Sequence, residues 1–327
     1  MHNTLNPGRR AVLAGAAAVM DLAGPTTLVP AARAAQGVAT AVKFSTGTTP
    51  PRTPAPDGAT DCHHHVYDAR FPPDPRTALR PPDASPEDYR ALQRRLGLSR
   101  SVLVQPSTYG TDNRPHLQAT QELGPQRTRM VAVVDTSVTD EELRRLHGLG
   151  VRGIHFNLVQ TGATTPDMLE PLSRRVHALG WHCQVHMLGD QIAEAAAMFE
   201  RLPSRIVFDH LGRIPMDRGV DHPAYGVIRR LMDRGNTWVK LSGAYMDSKA
   251  GAAGNYADTV PVARGYAQGA PERCVWASDW PHVTQGERKA DDAQLFDLLA
   301  QQWVPDERAR ARILVGNPME LYDFPRG

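Results

Sequence analysis

The chain is short of cysteine, aromatics, net charge and long apolar runs, and each shortage closes off a class of protein. Cys62, Cys183 and Cys274 are the three cysteines among 327 residues. Odd in number, far apart and without a CxxC pair, they argue against a disulfide framework or a cysteine zinc site. Each falls in or beside an expected strand, where a buried, inert thiol is the default reading. Aromatics make up 6% and the formal charge is +2, with acids and bases interspersed. No basic stripe with interleaved aromatics marks a nucleic-acid footprint. No apolar run reaches the roughly 20 residues that span a bilayer. A GxGxxG turn after a strand and a GxSxG elbow are both missing, so dinucleotide binding and serine hydrolysis lack support.

What is present describes a globular protein. Hydrophobic residues make up 41% and charged residues 22%, enough apolar material for a sizeable core. The first 35 residues read as a leader rather than as fold. Arg9-Arg10 precedes the apolar run Ala11 to Met20, and Ala32-Arg33-Ala34 follows. That is the charged, apolar, small-residue order of a signal peptide. The paired arginines suggest the Tat route, which implies a periplasmic protein, or a cytoplasmic one if the leader does not function. Residues 36–56, rich in Thr, Pro and Gly, read as a linker. Residues 57–327 then form a single domain.

From Thr60 onward, short β-branched runs alternate with longer helical stretches. Expected strands are Ala59–His65, Ser101–Gln105, Met130–Val134, Val151–Phe156, His182–His186, Arg205–Asp209, Thr237–Leu241 and Cys274–Ser278. Amphipathic stripes lie between them: Glu141-Leu143-Leu146-Leu149, Ile192-Ala195-Ala196-Phe199-Leu202 and Ile228-Leu231-Met232. Strand then helix, eight times, predicts an α/β protein with a parallel sheet closed into a (β/α)8 TIM barrel. An open doubly wound sheet is the alternative.

Barrel active sites lie at the carboxyl ends of the strands, and here those ends carry imidazoles and carboxylates. The first strand ends Asp61-Cys62-His63-His64-His65. Residues i and i+2 share a face, so His63 and His65 converge while His64 points away. His155 and Asn157 end the fourth strand, His186 the fifth, Asp209-His210 the sixth, and Ser278-Asp279 the eighth. Imidazoles plus one carboxylate are the donor set that zinc favours. A divalent metal so held, zinc or manganese, supplies hydroxide at neutral pH; operation without a metal is the other option. The carboxylate both touches the metal and shuttles a proton. Ser107 and Tyr109 follow the second strand and are candidate substrate contacts. Lys240 binds a substrate anion or forms an internal ion pair. Asn157 and Arg213 orient substrate or pin a loop. Asn113 is expected to cap the following helix.

These motifs, in this order, resemble the amidohydrolase superfamily, in the branch of 2-pyrone-4,6-dicarboxylate lactonase and the sugar-lactone and muconolactone hydrolases. The matching stretches are Gly58–His65, Tyr109-Gly110-Thr111-Asp112-Asn113, Val151–Asn157, Gly180-Trp181-His182, Asp209–Arg213, Trp276–His282 and Gly316-Asn317-Pro318. The likeness covers roughly residues 57–323. It implies metal ligands at His63, His65, His186 and Asp279, with Asp279 as general base and His210 beside it in catalysis. Where the pyrone lactonase pattern has arginines, this chain has His155 and, after the seventh strand, Gly243-Ala244-Tyr245-Met246. His155, Tyr245 and His282 therefore join the candidate substrate contacts, and the pyrone dicarboxylate itself is disfavoured. The implied reaction is ring opening of a small lactone, a muconolactone type (sulfonated or carboxylated) or an aldonolactone, within aromatic-compound or sugar-acid catabolism. A decarboxylase or hydratase on the same barrel and an exported, non-catalytic binding protein for an organic acid are the rival readings. A homo-oligomer is compatible with the sequence.

Overall fold

A computed structural model describes Ala39, residues 41–160 and residues 162–325. The expected leader lies outside the described residues. Eight parallel strands form one sheet in sequence order: β1 (Thr60–His64), β2 (Arg100–Val104), β3 (Thr128–Ala132), β4 (Val151–Asn157), β5 (His182–His186), β6 (Arg205–Phe208), β7 (Thr237–Leu241) and β8 (Cys274–Trp276). The chain past β8 returns to β1. Asp279 N donates to His63 O at 2.8 Å, and His65 N donates to Trp280 O at 2.9 Å. The fold is the (β/α)8 barrel.

The strands are buried on both faces, as they must be between a packed barrel interior and a helical layer. The lower interior is filled by Cys62, Val102, Val131, Val207, Trp238 and Val275, and closed by Leu321, Tyr322 and Phe324. Alternate residues, among them Leu103, Met130, Ile154, Phe156, Phe208 and Leu241, pack outward against the helices. Gly153 is required by close approach, since a Cβ there would lie 2.4 Å from the His182 ring. The helices obey local rules. Helix Pro86–Leu96 starts with a capping box between Ser85 and Asp88 and ends on Gly97 at φ 73°, the conformation glycine adopts without penalty. The stripe from Ile192 to Leu202 is two short helices, Gly189–Glu194 and Ala196–Phe199, broken at Ala195 (φ −85°, ψ 6°).

Residues 41–56 contain no helix or strand, yet they are held along the barrel. Trp280 Nε1 donates to Lys43 O at 2.8 Å. The buried Arg95 guanidinium donates to Thr46 O and Thr49 O. The Asp297 carboxylate accepts from Arg52 N and Thr53 N, each at 3.1 Å. Among the described residues no helix is long and apolar enough to cross a membrane.

Candidate active site

The polar interior begins where the apolar filling stops. Lys240, in the middle of β7, is fully buried, and its Nζ donates to Gln184 Oε1 at 2.7 Å and lies 3.3 Å from Asp209 Oδ1. The internal ion pair, of the two readings of Lys240, is the one observed. Asp209, named in the sequence as a strand-end carboxylate without a role of its own, is the hub. It accepts from Gln184 Nε2 at 3.0 Å, and it lies 3.2 Å from His63 Nδ1 and 3.4 Å from His155 Nε2. Burial pushes its carboxyl up, but Lys240 and then His63 outweigh that and hold it well below the usual range. Strand alternation could have found it, because Asp209 shares the inward face with Val207 and with Gln184 and His186 next door.

His63 and His65 do converge, with their Nε2 atoms 3.2 Å apart. A register shift between Asp61 and His64 helps. At this bulge Cys62 and His63, adjacent in sequence, both face inward, while Asp61 and His64 meet Tyr89 outside the barrel. Bulges commonly re-aim side chains in this way. Asp279 Oδ1 lies 3.5 Å from His63 Nε2, 3.4 Å from His65 Nε2 and 3.7 Å from His210 Nε2. The loops carrying these groups are strained. His210, Leu211 and Arg213 have φ between 49° and 56°, and Asp279 has φ 63°. Non-glycine residues in that region cost about 1–3 kcal/mol each and concentrate at functional sites. Gly243 permits the His210 loop to fit, since a Cβ there would lie 2.8 Å from that of His210.

The His65 tautomer follows from a fixed acceptor. His65 Nδ1 lies 2.7 Å from Val104 O, which only accepts, so Nε2 keeps its lone pair. His63 Nδ1 lies 3.2 Å from Asp209 Oδ1 and equally 3.2 Å from Lys240 Nζ; the tautomer that gives its Nδ1 proton to Asp209 leaves Nε2 free in the same way. Burial pushes His63 well below its ordinary pKa, and Lys240 adds to this. Burial lowers His210 as well. For Asp279, burial works toward the neutral acid, while protons on His210, His65 and His63 pull it well below the usual range; where the facing nitrogens are bare, a bound cation is the charge that balances the carboxylate. Two imidazole lone pairs and a carboxylate oxygen thus point at one another with no donor between them. A tetrahedral ion with bonds of about 2.0–2.1 Å needs donors about 3.3–3.4 Å apart. The observed 3.2, 3.4 and 3.5 Å edges meet that requirement, so His63, His65 and Asp279 fit a divalent cation.

His186 does not complete this set. Its Nε2 is 2.8 Å from Arg213 Nη1, and a guanidinium there takes the lone pair a metal would need. Arg213 is itself engaged by Asp247, through Nε at 2.7 Å and Nη2 at 3.1 Å, so it pins the loop after β6 and is not free for an anion. A narrow cavity of about 50 Å3 opens over the cluster, and Ser107, His155 and Asn157 line it with His63, His65, His186, His210 and Asp279. Thr108, Gln160 and Thr284, not anticipated, line it too. Tyr109 does not: the turn Ser107–Tyr109 aims successive side chains apart, and the Tyr109 hydroxyl accepts from Asp68 N at 2.7 Å. Tyr245 and His282 also lie outside the lining. Tyr245 OH donates to Asp279 Oδ2 at 2.5 Å, and His282 is buried behind it, with Nδ1 3.1 Å from that hydroxyl. Asn113 stands at the N-cap of helix Arg114–Leu123, but its side chain makes no capping bond; its amide instead exchanges two hydrogen bonds with the Val133 backbone.

The amidohydrolase family model matches residues 60–324. The 2-pyrone-4,6-dicarboxylate hydrolase of Comamonas testosteroni is 35% identical, over 83% of this chain and 92% of that protein. The D-galactarolactone isomerase of Agrobacterium fabrum is 35% identical, over 86% and 96%. A 4-sulfomuconolactone hydrolase of Rhizobium radiobacter is 34% identical, over 82% and 90%.

Proposed function

The chain belongs to the amidohydrolase family, and from that premise we propose that it hydrolyses the ring ester of a small lactone. The observation that carries the reading is the meeting of His63 Nε2, His65 Nε2 and Asp279 Oδ1, with His210 Nε2 within 3.7 Å, at the floor of a cavity. Relatives that act on a pyrone dicarboxylate and a sulfomuconolactone support the substrate class.

The donor set favours zinc, which His63, His65 and Asp279 would hold. When bound, such an ion polarises water and carbonyl oxygen and lowers the pKa of water. Asp279 Oδ1 takes the proton of the attacking water as its oxygen adds to the acyl carbon. His210 Nδ1 lies 3.0 Å from the Ser242 hydroxyl, and the tautomer in which that hydroxyl donates to Nδ1 points Nε2–H into the cavity. There it donates to the carbonyl oxygen as negative charge develops. The ring C–O bond then breaks, Asp279 returns its proton to the departing oxygen, and the product is a hydroxy acid.

Among the described residues the cavity lining contains no lysine or arginine, and Arg213 is neutralised by Asp247. Hydroxyl and amide groups from Ser107, Asn157, Gln160 and Thr284 stand there instead. That lining supports a neutral or singly charged lactone over a dicarboxylate. The Arg9-Arg10 leader supports action in the periplasm. The isomerase relative supports a second reading, in which the same base moves a proton without net hydrolysis.

The test is a panel of neutral, monoanionic and dianionic lactones assayed by acid release, wild type against Asp279→Asn. One acid equivalent per ring is expected, with turnover falling about 10²–10⁴-fold in the variant, the usual contribution of a general base. Undiminished kcat in the variant would remove Asp279 from its assigned role.

A further inference from the structure

Asp279 has two carboxylate oxygens, and only Oδ1 faces the imidazoles. Oδ2 receives the Tyr245 hydroxyl at 2.5 Å. That hydroxyl also lies 3.1 Å from His282 Nδ1, and His282 Nε2 lies 3.1 Å from both oxygens of Asp292. His282 and Asp292 are completely buried. Proton counting fixes the direction of every bond in the line. A phenol has one proton, and the short contact to a charged acceptor shows that Asp279 receives it. The Tyr245 oxygen is then left as an acceptor, so His282 Nδ1–H donates to it. Asp292 accepts only, so it takes Nε2–H. His282 therefore carries both ring protons, between a carboxylate and a polarised phenol.

The far end of the line is anchored as firmly as the near end. Asp292 opens helix Asp292–Leu298, and its N–H donates to Ser45 Oγ at 3.2 Å. Trp280, between Asp279 and His282 in sequence, is tied to Lys43 O. A buried chain of charges is a poor way to fill space, since apolar residues of similar volume would stabilise as well or better. What the chain adds is orientation.

We propose that Tyr245, His282 and Asp292 form a positioning relay that turns Asp279 Oδ2 away from the cavity and presents Oδ1 alone to the attacking water. The relay rests on the reading of Asp279 as the base. It places Tyr245 and His282 as positioning residues, acting through Asp279 without touching substrate. Without the Tyr245 hydroxyl, Asp279 rotates about its Cβ–Cγ bond, and either oxygen meets the cluster.

Three variants test this, each compared with Asp279→Asn. Tyr245→Phe keeps the ring and removes the hydroxyl; kcat should fall about 10–100-fold with KM changed less than about threefold, as for loss of a group that orients a ligand. His282→Gln should fall similarly, and the double variant no further, because both changes break one line. Asp292→Asn gives a readout independent of turnover. In ¹⁵N-correlated NMR of the imidazoles, His282 should show two protonated nitrogens in the wild type and a neutral tautomer in the variant. A Tyr245→Phe enzyme within about twofold of wild-type kcat, beside an inactive Asp279→Asn, would overturn the relay and leave the base assignment standing. A neutral His282 ring in the wild type would overturn it independently. Full turnover in Asp279→Asn would instead remove the base assignment, and the relay's catalytic role with it.

Discussion

Replacing Lys240 with methionine leaves Asp209 buried without its principal counter-charge. Lys240 Nζ and Asp209 Oδ1 are 3.3 Å apart, and neither side chain has any exposure. At that distance an effective dielectric constant of about 20 gives roughly 5 kcal/mol of attraction. Removing one member of a buried pair costs about 3–5 kcal/mol, because the survivor stays desolvated. Asp209 retains the Gln184 amide at 3.0 Å and His63 Nδ1 at 3.2 Å, which puts the expected loss near the lower end, about 3 kcal/mol. Urea unfolding followed by circular dichroism at pH 7 would read this as a lower midpoint at unchanged slope. The pH dependence has a definite sign. Asp209 is buried, yet Lys240 and His63 depress its pKa; a depressed acid adds stability above its unfolded pKa, near 3.9, and loses it as pH falls through the folded value. The gap between wild type and variant should therefore be full at neutral pH and close in acid. Adding Asp209→Asn to Lys240→Met should recover more than half of the loss. A single variant within about 1 kcal/mol of wild type, the range of an ordinary surface change, would refute the reasoning.

Two further outcomes follow from the site and its surroundings. After loading with zinc and desalting, His65→Ala should retain no stoichiometric metal by mass spectrometry, whereas His186→Asn should retain it. Equal loss in both would restore His186 to the ligands and displace Arg213 from its ring. Asp61 is raised to about 6 by burial, against hydrogen bonds from Ser278, His63 N and Tyr89. A raised acid contributes its stability fully below the unfolded pKa, near 4, and loses it as pH rises through about 6. The stability advantage of wild type over Asp61→Asn should thus shrink, by on the order of 2–3 kcal/mol, between pH 4 and pH 7; a constant difference would contradict the burial argument.

The barrel was legible because its signals are local. β5 and β7 have the expected ends, and the other strands differ by one or two residues, β8 stopping at Trp276 where Ser278 was expected. The i, i+2 rule brought His63 and His65 together, although it missed the bulge that turns Cys62 and His63 to the same side. Long-range pairing was not legible. Arg213 is spoken for by Asp247, 34 residues away, and His282 by Asp292, and nothing in spacing reveals either partner. Residues at loop positions were read as substrate contacts, yet Tyr109, Tyr245 and His282 spend their polar atoms on the protein itself. Asp209 was legible as a strand-end carboxylate but not as the hub, because its partners Lys240, Gln184 and His63 come from three other strands.

Hydrolysis differs from every rival reading in the fate of one oxygen atom. The decisive measurement is turnover of a neutral lactone in ¹⁸O-labelled water, with the product analysed by mass spectrometry. Hydrolysis at the acyl carbon by water activated at Asp279 predicts a ring-opened hydroxy acid carrying one ¹⁸O in its carboxylate. An isomeric lactone without label, or a hydrated ring carrying the label as a carbinol, would contradict it.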